Sequence, residues 1–413
     1  MELLSPAGNL EKMRAAINFG ADAVYLAGPG FGLRAASTEF SPDDLAAAVA
    51  YAHGKGVRVY VTVNAMPHES DYPALLAYTD LLARVSPDGL IVSDPGVIAL
   101  CRERLPGIPL HLSTQANALS SSACRAWYAM GVRRIVLARE LSLSEIKEIR
   151  RNTPADLELE AFAHGSTCVS YSGRCLLSNY LAGRDANRGD CTQPCRWKYR
   201  VGRLAGEIVE ETRPNEPIPI EEDAGGTFIL ASRDLSMIEH LADLADAGVS
   251  SLKIEGRMKS ALYVAAVTNA YRMALDALGR GETAVDPRLI AELDGVSHRE
   301  YSTGFYYGNP HDDANVVSRP GYYGEKSYLA AVVGYDAASG RALCLQKNKF
   351  AVGDEVELLS PGSFGRAFTV PALFDENGNG IDATPHPGMA FTLPVPFPVK
   401  AGDLLRRREA SVD

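Results

Sequence analysis

Through residue 165 the chain repeats one pattern: a short run of β-favouring apolar residues, a turn or cap, then apolar residues at helical spacing. The apolar runs begin at Leu3 and recur at Ala23–Ala27, Val57–Val63, Gly89–Ser93, Leu110–Thr114, Arg134–Ala138 and Leu157–Phe162. Between them the pattern predicts helices over 9–19, from Ser41, over 95–105, over 120–130 and from Ser142. Ser41-Pro-Asp-Asp combines an N-cap, a first-turn proline and acids at the positive helix end. Ser142-Leu-Ser-Glu145 has the spacing of a capping box, and His53-Gly-Lys-Gly56 supplies a glycine stop.

Seven strands alternating with helices imply a parallel sheet, and their number favours a closed barrel over a doubly wound sheet. The eighth strand is expected at Ser251–Glu255, with a long helix from Lys259 to about Leu278. The expected fold is therefore α/β: a (β/α)8 TIM-like barrel over 1–278. A cysteine-rich insertion of roughly eighty residues, about 166–250, follows the seventh strand and holds a further β run at Thr227–Ala231. Residues 279–325 read as a connector. Residues 326–413 carry short β runs broken by Gly, Pro, Asn and Asp, as in a small all-β barrel. In a β/α barrel, reactive groups gather where the strands end. That places Gln115, His111, His164, Lys253, Glu255 and Arg257 near one face, with Arg34, Asn64, His68, Asp94, Asn117, Arg139 and Glu140.

Composition adds limits. The 46% apolar content suffices for a core, no run of eighteen apolar residues suggests a membrane span, and the N-terminus lacks the pattern of an export signal. A cytoplasmic location is expected. The net charge of -10 argues against broad, non-specific nucleic-acid binding. The charge is uneven, however. Tyr171–Arg203 holds seven cations and two acids, while Glu207–Asp223 holds seven acids and one arginine. The basic stretch reads either as a solvated face or as a local site for phosphates. Lys347, Lys349, Lys400 and Arg406–Arg408 suggest a second basic strip in the tail.

Four of the seven cysteines fall within 28 positions: Cys168, Cys175, Cys191 and Cys195. They stand among glycines and polar residues, whereas Cys101, Cys124 and Cys344 sit in apolar runs and read as packing residues. An odd count and no export signal argue against a disulfide framework. Clustered thiolates suit a soft metal, either zinc or an iron–sulfur cluster. Neither pair has the C-x-x-C form common in zinc ribbons, which tilts the reading toward a cluster, with zinc as the fallback. Gly28, Gly30 and Gly32 form G-x-G-x-G, not the dinucleotide fingerprint, and read as a tight strand-to-helix loop.

Glu160, Phe162, His164, Gly165, Cys168, Gly173, Cys175 and Ser178 together resemble the signature of the collagenase-like peptidase family U32. The resemblance extends through KIEGRMKS (Lys253–Ser260) and YVAAVTNAYRMALD (Tyr263–Asp276) and covers essentially the whole chain. Despite the family's label, the resemblance implies a hydroxylation protein that carries a [4Fe–4S] cluster. Such proteins act on tRNA, ribosomal RNA or a quinone precursor. Length and the β-rich tail favour the tRNA branch, which hydroxylates C5 of the wobble uridine without molecular oxygen, prephenate being the oxygen donor. An electron-donor protein is a possible further partner.

That reading assigns roles to residues. The four clustered cysteines would hold the metal. Prephenate is a dicarboxylate, and arginine forks grip carboxylates, so Arg34, Arg233 and Arg257 are substrate candidates, together with His111 and Gln115. Lys253 would supply a point charge, and Lys253 and Glu255 join Glu160 and His164 as catalytic candidates. Glu160 and His164 flank the cysteine loop, where either would serve as proton donor or loop support. A splayed uridine would stack on Tyr171, Tyr180 or Trp197. A peptidase is the first rival reading, yet the chain has no G-x-S-x-G and no H-E-x-x-H. A Cys168–His164 pair remains as its candidate. A zinc-stabilised RNA-binding module is the second rival.

Overall fold

The computed structural model describes residues 1–33, 40–168, 170–171, 174–188, 190–196, 207–208, 218–219, 222–223, 226–227, 232–308, 323–324 and 326–408. Seven strands alternate with helices as the apolar pattern predicts. They are β1 (Glu2–Pro6), β2 (Ala23–Ala27), β3 (Arg58–Val63), β4 (Gly89–Val92), β5 (Leu110–Leu112), β6 (Val132–Val136) and β7 (Glu158–Ser166). The insertion contributes two short antiparallel pairs, β8 (Glu207–Ile208) with β9 (Ile218–Pro219) and β10 (Glu222–Asp223) with β11 (Gly226–Thr227). Next come β12 (Asp234–Ser236) and β13 (Ser251–Ile254). β13, the expected eighth strand, pairs in parallel with both β1 and β7 and so closes the barrel.

The helices form where caps and apolar spacing coincide. α1 (Leu10–Asn18) precedes α2 (Pro42–His53), whose Ser41 cap accepts the Asp44 amide at 3.1 Å. α3 (Tyr72–Val85) has no counterpart in the sequence reading. Its buried Leu75, Tyr78, Thr79 and Leu82 follow helical spacing, so the signal was present. α4 (Pro95–Arg104) is capped by Asp94, α5 (Ser121–Ala129) by Ser120, and α6 (Leu143–Arg151) by a Ser142–Glu145 capping box. α7 (Leu177–Ala182) lies within the cysteine segment and α8 (Leu241–Asp246) just before β13. α9 (Ala261–Gly279) is the expected long helix. The connector holds α10 (Pro287–Asp294) and β14 (Tyr301–Ser302).

Two strands extend the sheet beyond the barrel. β12 runs antiparallel to the end of β7, placing Ser236 opposite His164, and β14 pairs in parallel with β12. Of the expected β run Thr227–Ala231 only Thr227 is described, in β11; 228–231 lie outside the described residues. Among the described residues no helix is long and apolar enough to cross a membrane.

The chain divides into two compact units. One comprises residues 1–9, 23–258 and 298–322, the barrel strands and the insertion. The other comprises 10–22, 259–297 and 323–413. In this second unit α1 packs on α9, and Arg272 of α9 pairs with Asp22 at 3.1 Å. It also holds the tail strands β15 (Tyr328–Asp336), β16 (Arg341–Gln346), β17 (Glu355–Leu359), β18 (Arg366–Thr369), β19 (Leu373–Phe374), β20 (Gly380–Ile381), β21 (Ala390–Pro394) and β22 (Leu404–Arg407). These form one antiparallel sheet, as expected, curled around Val332, Cys344, Val356, Leu358, Phe391 and Leu393. Arg406, read from sequence as part of a basic strip, is buried instead. It makes a two-pronged pair with Glu292 (2.6 and 2.8 Å) and a second pair with Glu357 (2.8 Å).

Candidate functional site

The barrel interior is polar where such barrels usually stack branched apolar side chains. At the start of the strands, Glu2 accepts hydrogen bonds from Tyr60 (2.7 Å), Ser251 (2.9 Å) and Arg134 (2.5 Å), and also pairs with Arg58. Arg134 reaches Glu158 at 2.6 Å and Glu160 at 3.2 Å. Glu160 in turn holds Lys253 at 2.8 Å. Burial alone would raise the Glu160 pKa. Lys253 and then Arg134 outweigh it and keep the carboxylate below its ordinary range.

His111 lies within this layer, 5% exposed, its ring edge-on to Tyr60 at 4.6 Å. Burial and then Arg134 hold its imidazole neutral, well below the ordinary histidine range. Gly89 makes room for it, since a Cβ there would lie 2.9 Å from the imidazole.

One layer up, Lys253 Nζ sits 4.5 Å over the Tyr25 ring. The Tyr25 hydroxyl faces the Ile254 carbonyl (3.0 Å) and Glu255 (3.2 Å). Burial, then the negative Glu255, pushes the Tyr25 pKa well up, so it stays a protonated donor. Above this layer the strand ends open into a pocket of about 80 Å³. Arg139, Lys253 and Arg257 line it with Glu255, Gln115, Asn64, Ser113, Phe162 and Cys168. Arg139 lies 4.0 Å over the Phe162 ring and donates to the Ser166 carbonyl at 3.2 Å. Asn64 is fixed by the Leu33 amide (3.1 Å) and by Ser113 (3.2 Å). Three cations thus face one carboxylate at the mouth, an arrangement that attracts small anions.

Cys168 reaches the mouth because its neighbours are clamped. The Thr167 hydroxyl donates to the Arg233 carbonyl at 2.6 Å, and the Thr167 carbonyl accepts from Ser232 at 2.9 Å. Gly165 makes the turn possible: its φ is +105°, and a Cβ there would lie 2.4 Å from the Glu255 carbonyl. Behind Cys168 a smaller pocket is lined by Arg139 and Glu140, the latter with its pKa raised by burial.

The sequence-predicted residues are placed unequally. Lys253, Glu255, Arg257, Gln115 and Cys168 come together at the mouth. Glu160 and His111 lie in the buried layer beneath it. His164, 1% exposed, leaves the interior face because β7 carries one extra residue opposite Lys253 and Ile254. Its ring packs instead on Tyr301 (5.2 Å), which stacks on His298 at 4.1 Å. Arg233 pairs with Glu300 at 3.2 Å, away from the mouth lining. Arg34 and Trp197 lie outside the described residues, as does the side chain of Tyr180; Tyr171 is exposed. Tyr25 was absent from the expected site, and Arg139 and Asn64 stood among the strand-end residues expected at this face without being given a role. Arg139 and Asn64 carried a signal, as polar residues at strand ends, while Tyr25 sits inside an apolar run.

Of the four clustered cysteines Cys168 is exposed and the others are half-buried, whereas Cys101, Cys124 and Cys344 are fully buried. Burial pushes those three thiols up, to about 11, 11 and 12. α7, just after Cys175, packs on the turns Ala186–Arg188 and Pro194–Arg196, the second of which contains Cys195. The Gln193 amide donates to Cys191 Sγ at 3.4 Å, and Ser178 accepts the Thr192 amide at 3.1 Å. The donor set thus suits a thiolate-bound metal in kind. Among the described residues no three His, Cys, Asp or Glu side chains converge on one metal position.

Comparison with known proteins adds the relationships. Residues 8–315 match the model of peptidase family U32, and residues 325–406 match that family's C-terminal domain. The tRNA hydroxylation protein P of Escherichia coli (strain K12) is 38% identical, covering 99% of this chain and 97% of that protein. The 23S rRNA 5-hydroxycytidine C2501 synthase of the same organism is 35% identical, covering 86% of this chain and 53% of that protein. A collagenase of Porphyromonas gingivalis (strain ATCC BAA-308 / W83) is 29% identical, covering 98% and 97%. Matched along nearly all of its length, the chain belongs to peptidase family U32.

Proposed function

We propose that this protein is a tRNA-modifying enzyme that hydroxylates C5 of the wobble uridine without molecular oxygen. Prephenate is the oxygen donor in this reading. The observation that carries it is the mouth itself, where Arg139, Lys253 and Arg257 share one pocket with Cys168. Full-length similarity to a tRNA hydroxylation protein supports the substrate class.

Each residue has a defined task. Arg257 and Arg139 present planar forks for carboxylates, and Lys253 adds a point charge held in place by Glu160. Gln115 and Asn64 offer neutral hydrogen bonds around the donor. Tyr25 and Glu255, already hydrogen-bonded, form a pair through which a proton is held and passed. The ring of Phe162, 4% exposed beneath Arg139, forms part of the apolar floor of the mouth. Cys168, Cys175, Cys191 and Cys195 would hold a [4Fe–4S] cluster, which supplies single-electron chemistry when bound. An electron-donor protein would complete the cycle.

A peptidase draws support from the collagenase relative. It needs a base beside Cys168, but the His164 ring is buried against Tyr301. Deleting the gene and measuring bulk tRNA nucleosides by mass spectrometry tests the proposal. Loss of 5-hydroxyuridine-derived nucleosides is expected. An unchanged tRNA profile with altered ribosomal RNA or quinones would reassign the substrate. Anaerobically purified protein should contain iron and sulfide in about equal amounts; one zinc per chain would favour a structural metal.

A further inference from the structure

A second cavity, of about 600 Å³, lies beside the mouth and has no part in the chemistry above. Its position follows from three chain segments that serve both sites. Leu33 lines the mouth while Phe31 lines the groove; Asn64 lines the mouth while Ala65 lines the groove; Ala186 lines the mouth while Arg188 lines the groove. The first two segments are tied together, the Ala65 amide donating to the Phe31 carbonyl at 3.1 Å. The rim between the two cavities is therefore only one or two residues thick.

The groove has flat, apolar walls. Phe31 and Tyr78 stack at 5.5 Å with 26° between their planes, and Met66 and Leu81 extend the surface. The G-x-G-x-G loop accounts for this closeness. A Cβ on Gly28 would lie 2.3 Å from the Tyr78 hydroxyl, so a larger residue would push the loop off α3. Among the described residues Asp71 is the one carboxylate in the lining, and Arg188 engages it at 3.0 and 3.2 Å. Arg84, at the last turn of α3, has no ion-pair or hydrogen-bond partner among the described residues. The groove therefore offers aromatic surface and one spare positive charge.

We infer that this groove seats an RNA nucleotide next to the one entering the barrel mouth. Its base stacks on the Phe31–Tyr78 wall and its phosphate faces Arg84. The inference rests on the tRNA reading above: an RNA strand with its target nucleotide at the mouth would cross so thin a rim into the groove. Base–aromatic stacking tolerates any base, so the groove would hold the strand in register without reading its sequence. The neighbouring target is then presented to the mouth already unstacked.

An anticodon stem–loop carrying 2-aminopurine beside the wobble uridine tests this with the full-length protein. Wild type should quench the fluorophore on binding. Phe31→Leu should lose the quench and bind about tenfold more weakly. Arg84→Gln, at an exposed position, should keep the melting temperature and lower the salt slope of binding by about one. Tight binding by wild type with quench and salt slope unchanged in both variants would overturn the groove assignment alone. A wild-type protein that fails to bind the stem–loop would overturn the tRNA reading, and this inference with it. A monomer–dimer equilibrium abolished by Phe31→Leu, with RNA binding intact, would assign the groove to a second copy of the chain.

Discussion

Lys253 Nζ lies 2.8 Å from Glu160 Oε1, both side chains being all but sealed inside the barrel. Glu160 also faces Arg134, which faces Glu2, so the pair belongs to a charge-balanced network spanning the strand starts. Lys253 is at once the top of that network and part of the mouth lining. The network therefore sets where the mouth's point charge stands.

Removing Lys253 leaves the buried Glu160 carboxylate paired with Arg134 alone, at 3.2 Å. Lys253→Met should destabilise the protein by about 3–5 kcal/mol. Adding Glu160→Gln should recover part of that loss, because the under-compensated buried carboxylate is gone. Urea unfolding of the two singles and the double measures the coupling. A single-variant loss below about 1 kcal/mol would mean that the pair adds little.

Acid should unfold the protein in two stages. His111 is kept neutral in the fold by burial and by Arg134, whereas the unfolded chain protonates it below about pH 6.5. The unfolded state then binds more protons, so stability falls as pH drops through that value. Glu160 has a depressed folded pKa because Lys253 and Arg134 outweigh its burial. Its contribution is present above about pH 4.3 and is lost as pH falls toward the folded value. His111→Gln should flatten the first decline and Glu160→Gln the second. Denaturant midpoints from pH 8 to 3 give the comparison, and slopes matching wild type would refute the assignment.

Gly165→Ala should damage the site out of proportion to its size. The residue has φ +105° and packs on the Glu255 carbonyl, so an added methyl strains the turn and pushes β7 from the loop after β13. A loss of at least about 1–3 kcal/mol is expected, with weakened prephenate binding at the mouth. Calorimetric melting and ligand titration read the two effects; normal melting and binding would show that the turn relaxes freely.

The cysteines should separate into two classes under alkylation. In metal-free native protein, Cys168, Cys175, Cys191 and Cys195 are accessible, while Cys101, Cys124 and Cys344 are sealed. Iodoacetamide should label the first four and reach the other three only after unfolding. Loading with iron and sulfide should then protect the first four together. Mass spectrometry of the labelled peptides decides it, and protection of fewer than four would redraw the ligand set.

Much of the architecture is legible in the linear chain because the forces that build it are local. Ser41, Asp94 and Ser142 cap helices through hydrogen bonds spanning three residues, and an apolar run between two turns has few alternatives to a strand. The contrast between four cysteines among polar residues and three in apolar runs is likewise visible without coordinates. It matches the observed exposure.

The site is less legible because its partners are distant in the chain. Ser251 meets Glu2 across 249 positions, and Arg134 meets Glu2 across 132. Only closure of the barrel turns Glu2, Arg134, Glu160 and His111 inward together, so strand-end reasoning assigned His111 to substrate and Glu160 to the cysteine loop. A single extra residue in β7 reverses which way His164 points, and no local pattern announces it. Local propensity and periodicity thus specified the strands, the caps and which cysteines are sealed from solvent. Which charges share the buried interior, and which reach the mouth, depended on strand register, because register is settled by packing among segments hundreds of positions apart.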